Sequence, residues 1–189
     1  MTVITPSPED WNSPAPKAAA GMSVHKRHIV SILLQNEVGA LTRVASLFSS
    51  RGYNIESLSV APTDDPTVSR LTLVTTGTDA VIHQIVNQSL KLIDVVNVDD
   101  VTRDQHFERE LLLLKLRIPP GQLPSLTRSV QKAGGKVLSD DPESFTVELT
   151  DSEAQINRFI AEAGDLGEVL EVVRSGALAM RRGAMTLRG

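Results

Sequence analysis

Two kinds of apolar spacing alternate along the chain. Over 28–34, His-Ile-Val-Ser-Ile-Leu-Leu, nearly every position is apolar, as in a strand covered on both faces. After a short polar turn the spacing changes. Ala40/Leu41, Val44/Ala45 and Leu47/Phe48 recur every three to four residues, with Thr42, Arg43, Ser46, Ser49 and Ser50 between them, which predicts an amphipathic helix. Gly39 opens this helix, and Gly52 stands where a left-handed residue commonly closes one. Positions 55–61 and 67–76 read as strands around the turn-forming Pro62-Thr-Asp-Asp-Pro66. Thr78 and Asp79 supply a cap and a first-turn acid for a second helix carrying Val81/Ile82, Ile85/Val86 and Leu90, and 92–101 closes as a strand. The order is βαββαβ.

The charged, aperiodic segment 103–110 predicts a linker, after which the grammar repeats. A strand over 111–118 is broken by Pro119-Pro-Gly-Gln122, and Leu123, Leu126, Val130 and Ala133 form a helical stripe stopped by Gly134-Gly135. Strands over 136–139 and 144–149 flank an Asp-Asp-Pro turn. A helix introduced by the capping box Ser152-x-x-Gln155 carries Ile156, Phe159, Ile160 and Ala163, and 168–173 is the closing strand. The fold class is α+β: two ferredoxin-like βαββαβ sandwich domains, 25–102 and 111–183, each an antiparallel sheet with two helices on one face. The uncovered faces and edges call for a partner, and a second copy is the simple one. Residues 184–189 form a short tail. Residues 1–24 hold Pro6, Pro8, Pro14 and Pro16 without apolar periodicity and are expected to be a disordered tail, with Trp11 inside it.

Composition narrows the chemistry. The absence of cysteine excludes disulfides, thiol catalysis and thiolate metal sites, and suits a reducing cytoplasm. A net charge of −4 with no basic block argues against nucleic acid as a partner. The first 13 residues carry no basic residue, unlike a leader, and the aliphatic run at 111–114 is too short to cross a bilayer, so a soluble cytoplasmic protein is expected. His25, His28, His83 and His106 lack a third ligand at metal-site spacing and read as surface histidines; no metal site is expected. The pairs Asp64-Asp65 and Asp140-Asp141 stand beside prolines in turns, and Asp99-Asp100 is a third pair. No nucleophile elbow, Walker loop or dinucleotide fingerprint is present, and no catalytic residue is assigned.

The turn 36–39 stands apart. The N–H groups of Gly39, Ala40 and Leu41 at the helix start can receive a carboxylate, Gly39 lets the backbone come close, and Asn36 offers an amide to an ammonium group. Asn54, at the start of the second strand, is an amide that a dimer could bring near. The same residues also suit an ordinary turn. A small αβ-sandwich enzyme of acylphosphatase type, using Arg43 and Asn54, is the competing reading; a ligand-sensing transcription regulator would need a helix-turn-helix or basic arm, which is lacking.

The segment His28-Ile-Val-Ser-Ile-Leu-Leu-Gln-Asn-Glu-Val-Gly-Ala-Leu-Thr-Arg-Val-Ala-Ser-Leu-Phe-Ser-Ser50 resembles the opening of the small regulatory subunits of acetolactate (acetohydroxyacid) synthase. Arg51-Gly-Tyr-Asn-Ile-Glu-Ser57, Val60-Ala-Pro-Thr-Asp-Asp-Pro-Thr-Val-Ser-Arg70 and Val172-Val-Arg-Ser-Gly176 are similar to the same family. The resemblance covers 28–183 and implies an N-terminal ACT domain, a small-ligand sensor. It implies a non-catalytic chain that activates a large catalytic subunit carrying thiamine diphosphate (ThDP), FAD and Mg, with no cofactor of its own. It also implies feedback inhibition by valine in branched-chain amino-acid biosynthesis. The family's effector site lies between two ACT domains of a homodimer. It carries over to Asn36, Val38, Gly39, Ala40 and Leu41 of one copy, with Asn54 and Ile55 contributed by the other. Val38 stands where many ACT domains have proline, and the family pattern does not extend to the tail before Ser23.

Overall fold

The computed structural model describes residues 24–188, so the expected tail 1–24, with Trp11, lies outside the described residues except for Val24. The first unit contains β1 (Lys26–Gln35), α1 (Ala40–Ser50), β2 (Ser57–Pro62), β3 (Val68–Gly77), α2 (Asp79–Ser89) and β4 (Val95–Asp100). Its sheet has the order β2-β3-β1-β4, with β3 matched to the whole length of β1 from Lys26 opposite Gly77 to Gln35 opposite Val68. The apolar run of β1 reflects this central place. Val30, Ile32 and Leu34 meet Leu71 and Leu73 under Ala40, Val44 and Phe48 of α1 and Ile82 and Ile85 of α2. Each such aliphatic side chain contributes about 1.5–3 kcal/mol by leaving water. The Thr78 hydroxyl accepts from the Val81 N–H and caps α2 as its sequence suggests.

The second unit comprises β5 (His106–Arg117), α3 (Leu123–Lys132), β6 (Lys136–Ser139), β7 (Phe145–Asp151), α4 (Glu153–Gly164) and β8 (Glu168–Arg174), with the sheet order β6-β7-β5-β8. Leu112, Leu114 and Leu116 of β5 pack with Leu126, Val130, Ile156, Phe159 and Ala163 of the two helices. Ser152 stands at the N-cap of α4, but its side chain makes no cap hydrogen bond, so the expected capping box is not formed.

Three boundaries differ from the sequence expectation. β4 is shorter than 92–101, because Ile93 stays exposed, and β2 starts at Ser57 rather than 55. The segment 103–110 is largely not a linker. A single 3-10 turn, Val101–Arg103, leads almost at once into β5 at His106. Its two glutamates misled because they are paired across the fold. Arg27 Nη2 donates to Glu108 Oε1 at 2.7 Å, and Arg174 Nη2 donates to the buried Glu110 at 2.6 Å.

The N-terminal half of β5 pairs antiparallel with an unforeseen strand, β9 (Leu178–Arg181), from His106 opposite Arg181 to Arg109 opposite Leu178. One face of this ribbon lies on the first sheet opposite its helices, where Ala177 and Ala179 join Ile29, Val74 and Val101. Arg70 Nη2 donates to the Ala179 carbonyl at 2.9 Å, and Arg181 Nε to Asp99 at 2.7 Å. Part of the sheet face expected to need a second copy is therefore covered by the chain itself. Of the expected tail 184–189, the described part has no regular structure, and the Arg188 carbonyl accepts from Asn97.

Candidate functional site

At the end of β1 the backbone is held from two sides. Asn36 N–H donates to the Thr67 carbonyl at 2.7 Å, and Gln35 N–H to the Asp94 carbonyl at 2.8 Å. The Asn36 side-chain N–H₂ donates to the Pro66 carbonyl at 3.0 Å, which leaves its side-chain oxygen as an acceptor. The chain then turns through Gly39 at φ +89°, a conformation that side-chain-bearing residues rarely adopt, and enters α1 with no side-chain cap and no acid in its first turn. Ala40 N–H is engaged by the Glu37 carbonyl at 3.2 Å. The N–H groups of Leu41 and Thr42 have no partner within the helix, so the positive end of the helix dipole is left open.

A cation reinforces it. A Cβ placed on Gly39 would stand 3.1 Å from Arg43 Nη1, so the guanidinium lies directly against the glycine. Arg43 is oriented by Asp94, which accepts from both Nε and Nη2, the latter at 2.7 Å. These charge-assisted bonds hold the Asp94 carboxyl below the ordinary carboxylate range and raise Arg43 in turn. Asp94 is itself buried. A ligand carboxylate at this turn would meet backbone N–H groups and a guanidinium together. Apolar side chains border the same place without cover: Val38 is fully exposed and Leu41 partly so.

Of the residues singled out from sequence, Asn36, Val38, Gly39, Ala40 and Leu41 share this turn. Asn54 and Ile55 do not reach it within one chain. The Asn54 carbonyl accepts from Thr75, which pairs with His28 at the other end of β1, and Ile55 packs beside the core of the first unit. Seven residues of strand at about 3.3 Å each, roughly 23 Å, separate the two ends. The Arg43 guanidinium lies against Gly39, at the end of the sheet away from Asn54, and already has a carboxylate partner, so one chain does not assemble the Arg/Asn pair of an acylphosphatase-type site. Asp94 and the placement of Arg43 against Gly39 were missed; an isolated acid between Ile93 and Val95 in an apolar stretch was the available signal.

His28 is not a surface histidine. It is buried, with Nδ1 3.4 Å from Asp100 and Nε2 3.7 Å from Asp79. Its place on an otherwise apolar central strand accounts for the burial. Among the described residues no group of three or more His, Cys, Asp or Glu side chains could hold a metal ion, and no helix is long and apolar enough to cross a membrane.

Comparison with known proteins matches both units. Residues 30–97 fit the family described as the AHAS small subunit-like ACT domain, and residues 109–183 the family described as the small subunit of acetolactate synthase. The chain is 42% identical to the acetolactate synthase isozyme 3 small subunit of Escherichia coli K12 over 162 residues, 86% of this chain and 99% of that protein. It is 41% identical to the acetolactate synthase small subunit of Haemophilus influenzae, over 83% and 96% of the two chains. Among solved structures, the acetolactate synthase small subunit of Thermotoga maritima superposes with a TM-score of 0.76 at 32% identity, covering 85% of this chain and 99% of that one.

Proposed function

Since the chain belongs to the family of acetolactate synthase small subunits, we propose that it is a non-catalytic regulator in branched-chain amino-acid biosynthesis. In this reading it activates a large catalytic subunit, on which ThDP, FAD and Mg reside, and makes that subunit sensitive to valine. The cytoplasm is the compartment that fits such a role. The observation that carries the effector part is the open, glycine-started end of α1 with Arg43 beside it.

The sheet topology supports a shared site. β2 is an edge strand with Leu58 and Val60 partly exposed on it. The Pro62 end of β2 lies at the Gln35 end of the sheet, and Ser57 lies toward the His28 end. Antiparallel pairing of β2 with β2 of a second copy would therefore set the partner's Asn54 and Ile55 beside the 36–41 turn. Valine would place its carboxylate on the Leu41 and Thr42 N–H groups and Arg43, its ammonium on Asn36 and the partner's Asn54, and its isopropyl group among Val38, Leu41 and the partner's Ile55. A molecule of about eight non-hydrogen atoms binding in the micromolar range, about −8 kcal/mol, stays well inside the ceiling for small ligands. Inhibition requires tighter binding to one dimer arrangement than another, and a coupling of about 1–3 kcal/mol suffices.

Reconstitution tests this. The purified chain, added to its large subunit, is expected to raise acetolactate formation, and valine to lower it again. Val60→Glu, which sets like charges against each other across the two-fold, is expected to shift the sedimenting species from dimer to monomer and to remove valine binding. A rate unchanged by the small subunit would reject the regulatory role; full valine binding by a monomer would reject the shared site.

A further inference from the structure

The outward face of the β5–β9 ribbon is built unlike the face that packs on the sheet. Phe107, Met180, Arg109 and Leu178 alternate on it, with Phe107 opposite Met180 and Arg109 opposite Leu178 in the ladder. Phe107 is 49% exposed, Leu178 52% and Met180 61%, a density of exposed apolar area that marks interaction surfaces. Between this face and the open side of β2 runs a groove of about 440 Å³, with Ala61 and Pro62 on its far wall.

Its charge is of one sign. Arg109 donates only to the neighbouring Glu108 carbonyl, the Arg182 guanidinium lies 4.5 Å from the centre of the Phe107 ring, and Arg70 lines the groove half-buried. Among the described residues none of the three forms an ion pair with a carboxylate, whereas Arg27, Arg43, Arg174 and Arg181 all do. Burial holds the Arg70 guanidinium below its ordinary value, an effect the Asp99 charge opposes, and its Nη2 donates to the Ser31 hydroxyl and the Ala179 carbonyl. Two copies meeting on this face about a two-fold axis would oppose like charges, which disfavours self-association there. The groove lies on the sheet face away from the helices, so edge pairing through β2 leaves it open.

We propose that this arginine-rimmed groove is the docking surface for the large catalytic subunit, and that it receives a segment in which apolar side chains stand next to one or more carboxylates. The inference rests on the reading of the chain as a regulator of such a subunit. The apolar residues supply the desolvated anchor and the arginines the orientation and salt sensitivity expected of a rim.

The test uses the full chain and its large subunit, with Met180→Glu and Arg109→Glu made separately, both at exposed positions outside the effector turn. Each variant is expected to raise at least tenfold the small-subunit concentration needed for half-maximal activation, while valine binding by calorimetry and dimer mass by sedimentation stay as in the unaltered chain. For the unaltered chain that concentration is expected to rise with salt. Half-saturation unchanged in both variants would overturn the groove as the docking surface. Dissociation of the dimer by either variant would show instead that a second copy covers it. If the unaltered chain itself gives no activation, the regulatory reading falls and this inference with it.

Discussion

Gly39 stands at φ +89° with its α-carbon facing the Arg43 guanidinium, and Gly52 stands at φ +70° with open space around it. Alanine at either position meets the steric penalty of the left-handed region, about 1–2 kcal/mol. In a chain of this length that lowers the melting temperature by roughly 2–8 °C. The two variants differ in what the new methyl group touches. At Gly52 it meets nothing within 4 Å; at Gly39 it stands 3.1 Å from Arg43 Nη1, closer than such contacts normally come. Arg43 is tied to Asp94 and cannot yield freely, so the methyl group and the displaced guanidinium both intrude where a ligand carboxylate would sit. Gly39→Ala is therefore expected to weaken valine binding about tenfold, about 1.4 kcal/mol, beyond any stability loss. Gly39→Asp is expected to abolish it, because its own carboxylate would take the Arg43 contact. Calorimetry with valine, alongside thermal melts, separates the effects. Equal valine affinity in Gly39→Ala and Gly52→Ala would refute the assignment of the anion site to this turn. Unchanged melting in both would refute the conformational argument.

Asn36→Ala is expected to lower valine affinity by about 1.5–3 kcal/mol, the worth of a hydrogen bond to a charged group, with activation of the large subunit kept; unaltered affinity in calorimetry would remove Asn36 from the site. Arg43 holds the Asp94 carboxyl below its ordinary value of 3.8, so this pair stabilises the fold above that pH and the contribution is lost as pH falls through the lower folded value. Acid unfolding followed by circular dichroism should therefore show a shallower loss of stability below about pH 4 in Asp94→Asn than in the unaltered chain. In the second unit a Cβ on Gly135 would lie 2.9 Å from the Glu148 carbonyl oxygen. Gly135→Ala is expected to destabilise that unit by about 1–3 kcal/mol in denaturant melts while leaving valine binding intact, as overpacking against backbone does.

Most of the regular structure was legible locally. The doubly apolar run of β1, the three-to-four spacing of α1 to α4 and the turn residues between them are properties of neighbours in sequence, and they predict two βαββαβ units because each period permits one kind of element. Gly39 was legible too, since a glycine between a strand and an amphipathic helix marks a special backbone. What escaped depended on partners far along the chain. Glu108 and Glu110 look solvent-facing until Arg27, 81 residues away, and Arg174, 64 residues away, neutralise them, and only then does 106–110 become strand. β9 is four residues long and has meaning only against β5. His28 reads as a surface residue until strands on both sides bury it beside Asp100. A helix that returns along the sheet sets Asn36 and Asn54 at its two ends, in keeping with a reading that needs a second copy to bring Asn54 near the turn. Periodicity in sequence determined which elements form and which faces they hide; the pairing of charges and strand edges over long separations, which no local pattern encodes, decided where the two units meet and which strand edges stay open.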